Sequence, residues 1–231
     1  MLLAINTSTL QFGLALMRRD GTVLAEHFMS AGKGCYGAFM TALDFLLSAS
    51  NYRPHDLTAV SVALGPGSFT GLRVGLSAAK GICHALDIPI MGISSLEALA
   101  SQLPLAHLPV VPVLHSRKAE LFAAQFVRGD GPRLMRTKKD ISLKAEELSG
   151  VFKEPALFIG NDFSSQGPFL SEALGSRAHL APAHMWNLKA SSVGFLGLMR
   201  LRSQDFDDLQ AINPIYLRPP EVRPNPFPVQ E

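Results

Sequence analysis

Residues 64–75 read Leu64-Gly-Pro-Gly-Ser-Phe-Thr-Gly-Leu-Arg-Val-Gly75, and this block limits the fold more than any other stretch of the chain. An apolar run, Ala59-Val-Ser-Val-Ala-Leu64, leads into it. A segment charged only at Arg73 and Lys80 leads out of it, from Leu72 to Leu86, with Asp87 at its end. The order is strand, glycine turn, helix. Gly65 and Gly67 are free to take positive φ, and Pro66 fixes its own φ and has no N–H to offer. The hydroxyl of Ser68 or Thr70 caps the helix. Backbone N–H groups at such a start, backed by the positive end of the helix dipole, suit a phosphate or a carboxylate. The same turn suits plain close packing, and both readings stay open. The candidate anion loop is Gly65, Gly67, Ser68, Thr70, Gly71 and Arg73, and Arg73 reads equally as a contact to a phosphate or to a carboxylate across a partner interface and as a solvated surface charge.

The helix after the turn is dominated by small residues (Gly71, Gly75, Ser77, Ala78, Ala79, Gly81) and large apolar ones (Leu72, Val74, Leu76, Ile82, Leu86). A glycine inside a helix costs roughly 1 kcal/mol against alanine, so several of them imply close approach of another backbone. A helix apolar or small on nearly every side is buried on nearly every side. One side rests on the chain's own sheet; the other calls for a second helix, in this chain or in a partner.

At 231 residues the chain makes one large domain or two small ones. Its charged fraction of 17% is low for a globular protein, which fits a chain that hides surface against a partner. A formal net charge of +2 gives no basic field for nucleic acid. Cysteine is confined to Cys35 and Cys83, both in helix-like segments, so two reduced thiols are expected. The chain opens directly on Leu2-Leu-Ala-Ile5, with no cationic lead and no long apolar run. No secretory signal and no membrane span are expected, and a cytoplasmic location follows.

In order, Leu2 to Asn6 reads as a buried strand followed by the small polar cluster Asn6-Thr-Ser-Thr9. Phe12 to Met17 and Thr22 to Phe28 form a hairpin around Asp20-Gly21. Phe39, Met40, Leu43, Leu46 and Leu47 recur at helical spacing. After the glycine block come a strand at Pro89–Ile93 and a helix from Leu96 to Leu103, capped by Ser94 or Ser95. The first half thus runs β-β-β-α-β-α-β-α. Pro104 to Pro109 divides it from a second half that repeats the order in degraded form. That half has strands at 110–114, 120–127, 133–136, 156–159 and 178–180, helices from Ser142, near 165–174 and at 187–201, and a Pro-rich tail. The domain division is 1–104, 105–217 and the tail 218–231.

Ala4-Ile-Asn-Thr-Ser-Thr9, the glycine block, Ala79-Lys-Gly81, Pro89 and Gly92-Ile-Ser-Ser-Leu-Glu-Ala-Leu99 together resemble the bacterial TsaB (YeaZ) family. So do Pro112-Val-Leu-His-Ser-Arg117, Glu120 and Pro214-Ile-Tyr-Leu-Arg218 in the second half. The resemblance implies an α/β, actin/hexokinase-like (ASKHA, ribonuclease H-like) duplicated fold, two lobes each with a mixed sheet flanked by helices. It implies a non-catalytic part in forming threonylcarbamoyladenosine on tRNAs that read codons beginning with adenine. The implied partners are the metal-bearing paralogue TsaD, which transfers the threonylcarbamoyl group, and the ATPase TsaE through the complex. A homodimer forms in isolation, and tRNA is met only through the complex. The implied pairing face is built from the first two helices, here Phe39 and Leu43, then Leu72, Gly75, Leu76, Ala78, Ala79 and Ile82. No cofactor is required by the chain itself, and ATP or ADP belongs at the interface with TsaD.

Two positions depart from the family. Asn6 stands at the end of the first strand and His115 in the first strand of the second half, where the family usually carries aspartate. Actin-like kinases use acidic groups there to hold Mg²⁺ or its waters, so independent phosphoryl transfer is not expected. A metalloprotease is not expected either, because no His-x-x-x-His pair exists on the first helix, which begins near Gly32-Lys-Gly-Cys-Tyr-Gly-Ala-Phe39. The other histidines read as surface or packing residues, and Lys33 and Lys80 as solvated charges. Arg117 reads as a local anchor for Glu120. The alternative from another class is a homodimeric structural or regulatory protein with only vestigial nucleotide binding.

Overall fold

A computed structural model describes residues 1–30, 35–116, 120–129, 131 and 133–218. Lys33, Arg117 and the Pro-rich tail beyond Arg218 lie outside the described residues.

The first sheet forms from β1 (Leu2–Asn6), β2 (Gln11–Met17), β3 (Val23–Ser30), β4 (Ala59–Gly65) and β5 (Ile90–Ser94). Its order is β3-β2-β1-β4-β5, antiparallel across β1, β2 and β3 and parallel from β1 through β4 to β5. Between these strands run α1 (Phe39–Ala49) and α2 (Phe69–Leu86), and α3 (Ser95–Ala100) follows β5. The second sheet repeats the plan with β6 (Val110–His115), β7 (Glu120–Arg128), β8 (Leu134–Lys144), β9 (Ala156–Ile159) and β10 (Ala178–Leu180). Read as β8-β7-β6-β9-β10, its order and strand directions match the first sheet strand for strand. Its helices are α4 (Leu148–Val151), α5 (Phe163–Leu174) and α6 (Ala190–Arg202).

β1 is buried on both faces, and its side chains alternate between two cores. Leu3 and Ile5 join Phe12, Leu14, Leu16, Val60 and Val62 under α1 and α2. Leu2 and Ala4 join Ala15, Met17, Ala59 and Ala63 on the opposite face, in a core continuous with the second sheet. That opposite face carries small side chains because α6 lies close on it. A Cβ added at Gly194 would run into the Met17 sulfur, and one at Gly197 into Ser61. The helix therefore comes from the second half of the chain and closes the sheet of the first half. Conversely, α3 from the first half packs on β6, β7 and β8.

Three sequence expectations change. β8 is an eleven-residue strand, where a short one at 133–136 was expected, so Ser142 lies in a strand and does not start a helix. The hydrophobic Leu134 and Leu143 at its two ends are buried and pin it, while Arg136, Lys138 and Lys139 between them hide its period. The helix after the glycine turn begins at Phe69, three residues before the expected Leu72. Residues 205–218, which the sequence left without an element, run back along the first sheet. Asp207 bridges to Ile90, Ile212 is buried in the core under α2, and the Ile215 N–H donates to the Leu64 carbonyl at 2.7 Å.

Candidate functional site

The glycine turn is built by packing from three sides. Gly65 has φ of +114°, and a Cβ there would sit 2.7 Å from the Ile215 carbonyl oxygen. Among the described residues Gly67 does not share the positive φ; it is small because a Cβ would overlap the Ser8 main chain. Gly75, nearly two turns into α2, faces the Thr7 side chain with no room for a methyl. Ser68 is the N-cap, its hydroxyl accepting from the Gly71 N–H at 3.3 Å, while its own N–H donates to the Ser8 carbonyl at 2.7 Å. Two of the donors expected to face an anion are therefore already committed inside the chain. Thr70 is exposed and Gly71 is buried. The block reads as a tight joint between β1, α2 and the C-terminal segment.

Beside the turn lies a cleft of about 510 Å³ between the two sheets, lined among others by Ser8, Leu10, Phe69, His115, Asn161 and Tyr216. Among the described residues no carboxylate lines it. Two residues before the lining Ser8, Asn6 is fully buried. Its Nδ2 donates to the Leu188 carbonyl at 2.8 Å, and its Oδ1 accepts from the Ser8 N–H at 3.0 Å and the Ser8 hydroxyl at 2.7 Å. One amide hydrogen ties β1 to the turn before α6, and the amide oxygen, with both acceptances taken by Ser8, is not left to order a cation's waters. His115 is half-exposed, its Nε2 lying 3.1 Å from the Ser165 hydroxyl and 3.9 Å from Asp162 Oδ2. Asp162 is the N-cap of α5. The Ser165 hydroxyl, opposed by burial and helped by the Ser165 N–H and the nearby His115, holds its carboxyl below the usual carboxylate range. These residues do not fit a magnesium-bound nucleotide: the groups at the two strand ends are a spent amide and an imidazole directed at a helix cap. Among the described residues no three His, Cys, Asp or Glu side chains converge as a metal site would.

The two-helix face needs the larger correction. Phe39, Leu43, Leu72, Gly75, Leu76 and Ala79, expected to meet a partner, are buried within the chain's own core. They sit on the inner stripe of α1 and α2, where the sheet supplies their contacts. Ala78 and Ile82 are half-buried on the flank. The outer stripe consists of other residues. On α1, Met40 and Phe45 are each 64% exposed and Asp44 lies between them. On α2, Arg73, Ser77 and Gly81 are exposed. A Cβ at Gly81 would meet nothing within 4 Å, so no contact inside the chain requires that glycine. Sequence reasoning missed Met40 and Phe45 as surface because they alternate with core positions; their i, i+5 spacing, off the inner stripe, was the available signal.

At the cleft end of this face Arg73 lies with Cζ 3.9 Å from the centroid of the Phe69 ring. Its Nε donates to the Tyr216 hydroxyl at 3.2 Å, and the two aromatic rings are 5.2 Å apart. Lys80, expected to be solvated, reaches the Gln210 carbonyl at 3.3 Å. Cys83 is buried in α2, and burial pushes its thiol up to about 12, so it is an inert packing residue.

Comparison with known proteins gives consistent likenesses. The family model described as "TsaD: tRNA N6-adenosine threonylcarbamoyltransferase" matches residues 33–217. The chain is 32% identical to tRNA threonylcarbamoyladenosine biosynthesis protein TsaB of Bacillus subtilis, covering 94% of this chain and 93% of that one. It is 26% identical to the TsaB protein of Haemophilus influenzae, again over 94% and 93% of the two chains. Among solved structures, YeaZ from Pseudomonas aeruginosa superposes with a TM-score of 0.77 at 19% identity, over 94% of this chain and 99% of that one. The fold is the actin/hexokinase-like α/β duplication expected from the sequence.

Proposed function

The chain belongs to the TsaB (YeaZ) family of tRNA threonylcarbamoyladenosine biosynthesis proteins, and from that premise we propose that it is a non-catalytic subunit that binds and activates a TsaD-type paralogue. The observation that carries this reading is the outer stripe of α1 and α2, where Met40, Phe45 and a mid-helix glycine at 81 have no partner within the described chain. An exposed glycine on a helix lets a partner helix approach closely there, and a standard interface needs about 800 Å² from each partner. Docking there holds the paralogue in a competent shape for modifying tRNAs that read codons beginning with adenine. TsaE joins through the assembled complex, and tRNA is met in the same way. Any ATP or ADP binds at the junction with the paralogue, because among the described residues no carboxylate lines the chain's own cleft to hold a magnesium nucleotide. The isolated chain turns over neither ATP nor peptide, and it works in the cytoplasm. No described helix is long and apolar enough to cross a membrane.

The test is to mix the purified chain with its TsaD-type paralogue and measure the mass of the assembly, using Gly81→Arg as the interrupted variant. A heterodimer that Gly81→Arg abolishes, together with loss of the modified nucleoside in cells carrying only that variant, supports the reading. A homodimer that the paralogue cannot split favours a structural or regulatory protein instead. Gly75 is unsuitable for this purpose, since a side chain there would disrupt the chain's own packing on Thr7.

A further inference from the structure

We propose that the groove between α2 and residues 213–216 receives a carboxylate side chain of the docked partner, with Arg73 as its anchor; this rests on the docking face proposed for α1 and α2. The groove has a volume of about 410 Å³ and is lined by Arg73, Leu76, Ser77, Lys80, Asn213 and Tyr216 among others. It holds two cations, and among the described residues no acid lines it. Arg73 and Lys80 are two helical turns apart, so both point along the same side of α2.

Arg73 differs from the arginines that acids hold elsewhere in the molecule. Arg133 is held by Glu97, Arg136 by Glu97 and Asp140, and Arg200 by Asp205 and Asp207. Among the described residues Arg73 makes no ion pair; it is fixed by the face of Phe69 and the hydroxyl of Tyr216. A guanidinium held by a ring and a hydroxyl keeps its charge uncompensated. It has also already lost much of the rotamer freedom that binding would otherwise take away. Its planar fork matches a carboxylate through two parallel hydrogen bonds. The setting favours a protein acid over a nucleic-acid phosphate. The formal net charge of the chain is only +2, which gives no basic field to hold a nucleic-acid backbone.

The experiment is a titration of the purified TsaD-type paralogue with the full chain and its variants, at low and at high salt, with thermal unfolding as the check on folding. Arg73→Leu is expected to weaken the wild-type dissociation constant about 30-fold, the loss typical of an interface hot-spot arginine. Arg73→Lys recovers only part of that loss, since it restores the charge but not the fork. Tyr216→Phe weakens binding a few-fold at most, because the ring remains. The salt dependence of the wild type is steeper than that of Arg73→Leu. Binding of Arg73→Leu within two-fold of wild type overturns the inference and leaves the docking reading intact. Loss of tRNA affinity by Arg73→Leu with unchanged affinity for the protein assigns the groove to phosphate and also overturns it. Wild-type protein that fails to bind the paralogue at all sinks the docking reading, and this inference with it.

Discussion

The carboxamide nitrogen of Asn6 donates to the main-chain carbonyl of Leu188 at 2.8 Å, tying the end of β1 to the turn that launches α6. An aspartate in the same place could not make that contact, because a carboxylate has no donor and would face a carbonyl dipole in a fully buried site. Asn6→Asp is therefore expected to destabilise the chain by about 2–4 kcal/mol at neutral pH. The sign with pH follows from burial of the new acid. Its folded pKa would be raised above the unfolded value of about 3.9, so the penalty is full above the folded pKa and fades as pH falls towards the unfolded one. Urea unfolding of both proteins across this range measures it; a penalty that grows on acidification would contradict the account.

At the N-cap of α5 the sign is reversed. The Asp162 carboxyl is held below its ordinary pKa, chiefly by the Ser165 hydroxyl. Its stabilisation is thus present above the unfolded value of about 3.9 and disappears as pH falls through the lower folded value. Asp162→Ala is expected to cost about 1 kcal/mol at neutral pH, as loss of a helix cap does. The two proteins should become equally stable in acid, which paired thermal melts at several pH values will detect.

Gly67→Ala is expected to lower stability by about 1–3 kcal/mol or more, because the new methyl overlaps the main chain of Ser8 and backbone yields less readily than a side chain. If the turn served only to cradle an anion, the same change would leave the ligand-free protein unaltered. Chemical denaturation without added ligand separates the two.

Gly81→Ala should do the opposite to the isolated chain. Its methyl points into open space, so the helix gains about 0.5–1 kcal/mol from better propensity. Affinity for the paralogue should fall at the same time, because the close approach is lost. A variant that is both more stable and an equally good binder would mean that close helix approach is not what keeps a glycine at this position.

Much of the fold was legible from the sequence. The Asp20-Gly21 hairpin, the strand-turn-helix at Ala59–Leu86 and the repetition in the second half rest on local chemistry, namely turn residues, caps and apolar runs. What failed was deciding which side of a helix faces inward. Gly75 and Gly81 look alike in the sequence, yet one packs on Thr7 and the other on nothing, since only the third dimension supplies Thr7. Residues 205–218 were illegible for a related reason. They are held by single main-chain bonds and scattered side chains such as Asp207, Ile212 and Tyr216, and these contacts leave no period. The groove and the Arg73 stack depend on that segment. Arg73 could therefore be singled out in advance while its neighbours could not.

The position of α6 bears on how the protein is made. The helix that covers the inner face of the first sheet is synthesised after every strand of both sheets, and the segment carrying Ile212 later still. Until then Leu2, Ala4, Ala15 and Met17 have no permanent cover. The first sheet must wait, half-dressed and in need of protection from aggregation, for residues 190–212 to arrive.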